Sequence, residues 1–321
     1  MRRVSILLTA VTIALAAAGG AAASGAAASG RDATITISPQ DVNGAVDAVV
    51  SGARWQVSGV MSVYRPGQVV AIHVFDNGRR TETLHVRVRK QGATGAFRVA
   101  LKIGDVGRIT VHAVHFRSSA LPEVISNFAS AWVVAPTATP GEGSLAVRIL
   151  QSQLAALHYV VGSSGVFDEQ TQLGLVAFQK MTGLPITGVP DAAVFAALAA
   201  GDGAFPVKFP SHGRHIEGDL THQVLALIGA HGQVEALYDM SSGKPSTPTA
   251  PGSFRVYSKT PGVNDVGMVD SNYFNGGDAI HGYPEVPAYA ASHGCLRVLI
   301  LDALQIYDWV ALGTPVDVFF R

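Results

Sequence analysis

The chain has 321 residues, of which 48% are hydrophobic and 14% are charged, which is typical of a globular protein and excludes a highly charged, disordered one. This length predicts two or three domains, each able to bury its own core. Lys plus Arg and Asp plus Glu number 23 each, and this balance argues against nucleic acid or an anionic membrane as the main partner.

Residues 1–30 predict a secretory signal peptide. A short basic head, Met1-Arg2-Arg3, precedes an apolar run over residues 4–18, and small residues with several Ala-x-Ala-like cleavage options follow. An uncleaved N-terminal anchor is the alternative, because an Ala- and Gly-rich segment is only weakly apolar. In either case we expect the rest of the chain to be exported, with no stable membrane span after signal cleavage.

Residues 33–135 predict a β-domain. The segments ATITIS, QVVAIHVF and GRITVHAVHF alternate apolar and polar residues, and turn signals such as DNG separate such runs. Short strands at this spacing predict an antiparallel sandwich, and the pattern resembles bacterial immunoglobulin-like domains without a diagnostic residue. Histidines without metal-ligand spacing occur in these strands, and we expect them to be ordinary side chains: His73, His85, His112 and His115.

Residues 136–143 are rich in Pro, Thr and Gly and predict a linker. The hydrophobic period then changes, and residues 144–200 predict three short helices. Asp168 is suited to cap the second helix, Gly183 to end it, and Pro190-Asp191 to start the third. The segment therefore predicts a small helical bundle.

This bundle resembles the three-helix peptidoglycan-binding module. The Leu150-Gln151 pair, the Gly-x-Phe-Asp-x-x-Thr turn from Gly165 and the Phe178-Gln179 pair match the pattern of that family. The third helix departs from it, because Pro190-Asp191 replaces the usual Gly and Thr. The resemblance implies binding to peptidoglycan, and a helical spacer that binds nothing is the alternative.

Residues 216–321 return to short strands joined by glycine turns and predict a mainly β domain. One helix is predicted over residues 299–309, with Leu301, Leu304 and Trp309 pointing inward. This region also contains the single cysteine of the chain, Cys295, in the stretch ASHGCLRV.

Cys295 cannot form an internal disulfide, and an unpaired thiol in an exported protein is open to oxidation. A small buried hydrophobic residue is the simplest interpretation. A nucleophilic thiol instead needs an imidazole that takes its proton and a third group that orients the imidazole. His293 is near in sequence, whereas a hairpin-like return would bring His281 opposite the thiol. The residues leave the choice open and favour His281.

The neighbours of Cys295 suggest further roles. Gly294 permits unusual backbone geometry, so the Gly294 and Cys295 N–H groups could point at one oxyanion, and Arg297 offers a planar fork for a carboxylate. Ser292 could fix the loop through its hydroxyl. Membership of a surface ion pair is the simpler role for Arg297, and a turn position is the simpler role for Ser292. Zinc on His281, His293 and Cys295 would lack a fourth ligand, so we expect no metal and no cofactor.

The stretch AIHGYPEVPAYAASHGCLRV closely resembles the signature of the L,D-transpeptidases, the YkuD-type cysteine enzymes of the bacterial cell wall. TPTAPGSFRV and YFNGGDAIHG match the family upstream, although Ala250 is inserted in the first and the spacer before Ser292 is short. The resemblance implies that Cys295 is the nucleophile, that His281 is the base and that the Gly282 carbonyl orients His281. Further residues would shape the oxyanion site and hold the donor peptide: Ser292, His293, Gly294 and Arg297.

The predicted fold class is therefore multidomain, with an immunoglobulin-like β-sandwich, a small three-helix bundle and a C-terminal mainly-β L,D-transpeptidase domain. The resemblance implies formation of 3→3 cross-links through a cysteine thioester, with release of D-alanine from donor stem tetrapeptides. Its partners would be the stem peptides and glycan of peptidoglycan, outside the cytoplasm. L,D-carboxypeptidase activity, lipoprotein attachment and a non-catalytic wall-binding role are the alternatives.

Overall fold

The computed structural model describes residues 33–40 and 47–321, so the predicted signal peptide lies outside the described residues. From the N-terminus, the described chain forms a β-rich region, a helical region and a second β-rich region. Within these residues, no helix combines the length and the apolar composition that crossing a membrane requires.

The strands of the N-terminal region are Ile35–Pro39 (β1), Ala48–Val50 (β2), Arg54–Met61 (β3), Val69–Asp76 (β4), Arg79–Arg87 (β5), Arg89–Gln91 (β6), Thr94–Lys102 (β7), Gly107–His115 (β8), Val124–Ile125 (β9) and Ala129–Val134 (β10). One sheet has the order β1-β3-β7-β6. The other has the order β2-β10-β8-β4-β5, with β9 paired to β8.

The two N-terminal sheets share one core, in which Trp55, Ile72 and Leu101 are fully buried. Alternate residues of β3 and β7 face this core, as their period-two pattern predicts. The sheets are not wholly antiparallel as predicted, because β2 pairs with β10 in parallel. The assignment of this sandwich to the immunoglobulin-like class stays a prediction.

The helical region consists of Leu145–Ala156 (α1), Glu169–Thr182 (α2) and Ala192–Ala200 (α3). Asp168 caps α2 by accepting a hydrogen bond from the Thr171 N–H, and α2 ends at Gly183 in the left-handed conformation, so both predictions are confirmed. Asp191 caps α3 in the same way as Asp168 caps α2.

Two glutamines of the peptidoglycan-binding motif are structural. Gln151 is buried, accepts from the Gly165 N–H and donates to Thr171 Oγ1 and to the Val166 carbonyl. Gln179 holds the loop after α2 in a similar way, through the Thr187 and Gly188 N–H groups. These bonds satisfy backbone groups of the loops between the helices, so the motif residues stabilise the bundle itself.

The C-terminal region contains His215–Asp219 (β11), Val224–Ile228 (β12), Val234–Asp239 (β13), Gly252–Arg255 (β14), Ser258–Val263 (β15), Val269–Asn275 (β16), Asp278–Tyr283 (β17), Leu296–Leu299 (β18), Ile300–Trp309 (α4) and Pro315–Phe319 (β19). One sheet has the order β13-β12-β11-β19-β14 and the other β15-β16-β17-β18. They share a core that includes Tyr238, Ile280 and Leu296.

The predicted inward face of α4 is wrong for Leu301 and Leu304, whereas Trp309 packs partly buried against the core as predicted. Leu301 and Leu304 are 68% and 57% exposed, whereas Asp302, Ala303 and Ile306 are buried. The cause is the close approach of α4 to β17, where only a small side chain such as Ala303 fits against Gly282. The leucines of α4 therefore did not mark its buried face.

The helical region and the C-terminal region are joined by a buried ion pair. Lys180 of α2 donates from Nζ to Asp239 Oδ1 at 2.6 Å and to the carbonyls of Gln223 and Met240. The two charged side chains are 3% and 1% exposed. Burial raises the pKa of Asp239 to about 7, although the Lys180 cation opposes this rise.

An apolar core surrounds this ion pair. Leu150 and Phe178 of the helices belong to the same buried cluster as Val224 and Leu237 of the C-terminal sheet. Helix α2 also meets α4, where Gln170 Nε2 donates to Asp302 Oδ1. Because the core is continuous across the boundary, we expect the helices and the C-terminal sheet to unfold together.

We predict that Lys180→Met lowers the free energy of unfolding by about 3–5 kcal/mol, because it leaves the Asp239 carboxylate buried without a counter-charge. Urea denaturation measures the loss, with the exposed Lys90→Met as a matched control that changes little. The double variant Lys180→Met with Asp239→Leu should recover most of the loss, since no buried charge remains. A loss below about 1 kcal/mol for the single variant would contradict a buried, uncompensated carboxylate.

Candidate active site

The parallel pairing of β17 with β18 builds the site around the thiol. Ile280 pairs with Leu296, and His281 pairs with Arg297. Paired residues of neighbouring strands point to the same face of a sheet, so His281 and Arg297 share one face. Cys295 directly precedes β18, and its Sγ lies 3.4 Å from the backbone N of Ala279, two residues before His281. The predicted base therefore lies on β17, and the predicted nucleophile lies directly before the adjacent strand β18.

The Cys295 thiol is half-buried and has three neighbours on adjacent loops and strands. The Ala279 N–H donates to Sγ, while the Gly277 carbonyl and Met268 Sδ lie 3.8 and 4.0 Å away. Burial raises the pKa of Cys295, and the Asp278 carboxylate adds to this rise. The Ala279 N–H and the Arg297 cation oppose it.

His281 is 2% exposed, and its ring is held by one hydrogen bond. Its Nδ1 lies 2.9 Å from the Gly282 carbonyl oxygen, which only accepts hydrogen bonds. This contact requires the proton on Nδ1 and leaves the Nε2 lone pair free in the neutral ring. Burial lowers the pKa of His281, and the nearby Arg297 cation lowers it further. Both pKa shifts favour the neutral form, of the His281 imidazole and of the Cys295 thiol.

Gly282 is required by packing against α4 as well as by its carbonyl. A Cβ atom at this position would lie 2.7 Å from the Ala303 Cβ and 3.0 Å from the Ile300 Cα. Any larger residue would separate β17 from α4. The same glycine thus sets the position of α4 and the orientation of the His281 ring.

The loop before Cys295 is organised by Ser292. Its buried hydroxyl donates to the Cys295 carbonyl at 2.6 Å and accepts from the Gly294 N–H at 3.1 Å. Gly294 has a φ of +125°, and a Cβ there would lie 2.2 Å from Asp278 Oδ1. Because the Gly294 N–H is bonded to Ser292, it could serve an oxyanion only after that bond opens.

The two candidate histidines have different environments. His293 is exposed, and its Nε2 lies 2.9 Å from Lys244 Nζ. Lys only donates, so Nε2 accepts this bond and is occupied. His281 instead is buried, and its Nε2 has no hydrogen bond to the described residues.

Arg297 packs against an aromatic ring rather than an acidic partner. Its guanidinium lies 4.0 Å from the ring centroid of Tyr283, which also contacts the His281 ring edge-on. Sequence reasoning missed Tyr283, although its position two residues after His281 on a strand predicts a shared face. It also missed side chains that only tertiary structure brings near Cys295: Met268 and Asp278.

The described residues contain no group of three or more His, Cys, Asp or Glu arranged to hold a metal ion. His281 and Arg297 are paired on one face, and the Cys295 thiol lies against Ala279, two residues before His281. Such a set can transfer an acyl group through a covalent intermediate on sulfur.

Comparison with known families matches the two parts of the chain separately. The L,D-transpeptidase catalytic domain family matches residues 213–318, and a peptidoglycan binding domain family matches residues 144–198. None of the curated proteins compared matches the chain.

Solved structures of L,D-transpeptidases are also similar to this chain. The L,D-transpeptidase from Xylanimonas cellulosilytica is 32% identical with a TM-score of 0.54, and the match covers 58% of this chain and 98% of that one. An L,D-transpeptidase from Stackebrandtia nassauensis is 21% identical with a TM-score of 0.36, covering 57% and 95% of the two chains. On the strength of the Xylanimonas match and the two matched families, the chain belongs to the L,D-transpeptidase family.

We predict that Gly282→Ala lowers the free energy of unfolding by about 1–3 kcal/mol, because the new methyl group overlaps Ala303 and the backbone of α4. Thermal denaturation measures the change. Gly277→Ala is a matched control in the same region, since a Cβ there has no neighbour within 4 Å. Equal stability of the two variants would show that α4 does not pack tightly on β17.

We predict that alkylation of Cys295 by iodoacetamide accelerates with pH through an apparent pKa above that of an ordinary thiol. The reason is that burial and the Asp278 carboxylate disfavour the reactive thiolate. Intact-mass spectrometry follows the adduct without interference, because Cys295 is the only cysteine. An apparent pKa below 7 would instead indicate a preformed thiolate–imidazolium pair.

Proposed function

We propose that the chain forms 3→3 cross-links in peptidoglycan through a thioester on Cys295. The observation that carries the proposal is the pairing of β17 with β18. It puts His281 on the same face as Arg297, two residues after Cys295. The Nδ1 of His281 is bonded to the Gly282 carbonyl, and its Nε2 is free. The family membership supplies the reaction class, and the site supplies a nucleophile and a base.

In the first half-reaction, Cys295 Sγ attacks the carbonyl carbon of the third residue of a donor tetrapeptide. The thiol proton passes to His281 Nε2, and the carbonyl electron pair moves to oxygen. When the tetrahedral intermediate collapses, the bond to D-alanine breaks, and His281 returns the proton to the leaving amine. A thioester on Cys295 and free D-alanine are the products.

In the second half-reaction, the side-chain amine of an acceptor stem attacks the thioester. His281 Nε2 takes a proton from this amine and then gives it to the departing Cys295 sulfur, so the free thiol is regenerated. A thioester favours this step because it reacts readily with amines. With water in place of the amine, the same site would act as an L,D-carboxypeptidase.

The neutral state of the pair is consistent with this sequence. A thiol with a raised pKa stays protonated until His281 accepts the proton, so the nucleophile forms only when a donor carbonyl is in place. A histidine with a lowered pKa remains available as a base at neutral pH. Arg297, stacked on Tyr283, is positioned to attract the terminal carboxylate of the donor.

The match to a peptidoglycan binding domain supports action at the cell wall. A binding unit next to the catalytic domain raises the local concentration of stem peptides around the thiol. We therefore propose that the chain acts outside the cytoplasm, on peptidoglycan that the helical region helps to hold.

We predict that the purified chain converts tetrapeptide muropeptides into dimers with loss of D-alanine, and that Cys295→Ala abolishes both products. Mass spectrometry of the reaction mixture measures them. Shortened monomers without dimers would indicate a carboxypeptidase. Unchanged muropeptides and unchanged intact sacculi with the wild-type chain would contradict the proposed activity.

The two histidines give a sharper test of the same mechanism. His281→Ala should lower kcat/KM for D-alanine release by about 10²–10⁴, the usual contribution of a general base. His293→Ala is the matched control and should cause a much smaller loss, because its ring bonds Lys244. Equal losses in the two variants would contradict the assignment of His281 as the base.

A further inference from the structure

The sheet of β1, β3, β7 and β6 carries charge of one sign. Its four strands contain five Lys or Arg and no Asp or Glu. The same bias extends beyond this sheet. Residues 33–135 contain 11 Lys or Arg against six Asp or Glu, whereas residues 136–321 contain nine against sixteen. The formal net charge of zero therefore conceals a basic N-terminal region and an acidic remainder.

The pairing of β3 with β7 places two positive charges next to each other, which lowers the stability of the sheet. Arg54 of β3 lies directly opposite Lys102 of β7, and both side chains are exposed. Like charges directly opposite each other destabilise a sheet. Among the described residues, no carboxylate forms an ion pair with either of them. Packing of the sandwich does not explain why this face lacks acidic residues, whereas an anionic ligand would.

The same face borders a groove of about 960 Å³. The groove lies where the chain passes from one sheet to the other at Val88, which is buried, so the flanking Arg87 and Arg89 both point outward. Arg98 of β7 completes the set, and small residues such as Ser58 and Ala96 line the space between. The side chains of the three arginines form no ion pair with any described residue.

The geometry of the groove favours a chain-like ligand. Arg87 and Arg89 are alternate residues of an extended segment, so their Cα atoms lie roughly 7 Å apart. Arg98 lies on the next strand, opposite Ser58. A polymer with a negative charge in every repeat unit could therefore contact the guanidinium groups in series.

We propose that this groove binds a linear phosphodiester polymer that carries no nucleobases. The planar fork of a guanidinium matches the oxygens of a phosphate, and no acidic residue lines the groove to compete for it. Its one aromatic side chain of the Phe, Tyr or Trp type, Phe97, is buried, so nucleic acid bases could stack only on the His85 ring and on the arginine planes. Exposed Trp, Phe or Leu side chains that could insert into a bilayer are also missing from the groove.

This inference does not depend on chemistry at Cys295. Only the location of such a polymer in the cell wall rests on the proposed function. A groove that holds an anionic wall polymer would give the protein a second attachment point, distinct from the helical region that matches a peptidoglycan binding domain. Binding and catalysis can therefore fail or succeed separately.

The test is binding of fluorescein-labelled poly(glycerol phosphate) to the purified full chain, followed by fluorescence anisotropy. We expect the triple variant Arg87→Gln, Arg89→Gln and Arg98→Gln to bind about 30-fold more weakly, at roughly threefold for each exposed ionic contact. The matched control removes three exposed arginines outside the groove in the same region: Arg79→Gln, Arg80→Gln and Arg117→Gln. This control should retain most of the affinity, and Arg98→Gln alone should lose about threefold.

Salt and competing ligands complete the design. Three phosphate contacts predict a loss of about 20-fold in affinity between about 50 and 200 mM salt. Equal weakening of the groove variant and its control would overturn the proposal, because it would reflect net charge alone. So would the absence of binding by the wild-type chain. Groove-dependent binding that is tighter to anionic phospholipid vesicles, or to a single-stranded oligonucleotide with as many phosphates, would also overturn it and identify a membrane or a nucleic acid instead.

Discussion

The parallel contact between β17 and β18 is the constraint on which the site depends. It sets His281 beside Arg297 and brings the segment before β18 against the Ala279 N–H. Gly282 of β17 also lets α4 approach the strand, where a Cβ atom would overlap Ala303. The Gly282 carbonyl in turn orients the base. Gly282 thus contributes both to the packing of α4 and to the tautomer of the His281 ring.

The helical region is connected to this site by hydrogen bonds. Lys180 bonds the Gln223 carbonyl as well as Asp239, and the Gln223 side chain holds Ser242 through its N–H and its hydroxyl. The Ser242 carbonyl accepts from the N–H groups of Ala291 and Ser292, at the start of the thiol loop. A continuous set of hydrogen bonds therefore runs from α2 to the loop that carries Cys295. The unit that matches a peptidoglycan binding domain is also part of the scaffold of the catalytic domain.

Charge is distributed by region rather than balanced within each one. The N-terminal sandwich is basic, with like charges opposite each other at Arg54 and Lys102, whereas the catalytic and helical regions are acidic. Inside the acidic part, the buried pair of Lys180 and Asp239 connects α2 to β13 through one short contact. Charged residues thus form a fixed buried contact between α2 and β13, whereas on the N-terminal sheet they are exposed and have no opposite charge as a partner among the described residues.

Much of the site and fold could be predicted from local sequence. Helix caps such as Asp168 and Gly183 follow from hydrogen bonds within a few residues, and the Ser-His-Gly-Cys stretch identified Cys295 as chemically unusual. The residues by themselves favoured His281 over His293 without deciding between them, because that choice depends on which strand pairs with β18. It also misjudged the buried face of α4, since the contact with Gly282 outweighs the apolar pattern. Only the tertiary structure decided two further contacts, because each joins residues far apart in the chain. They are the ion pair of Lys180 with Asp239 and the pairing of Arg54 opposite Lys102.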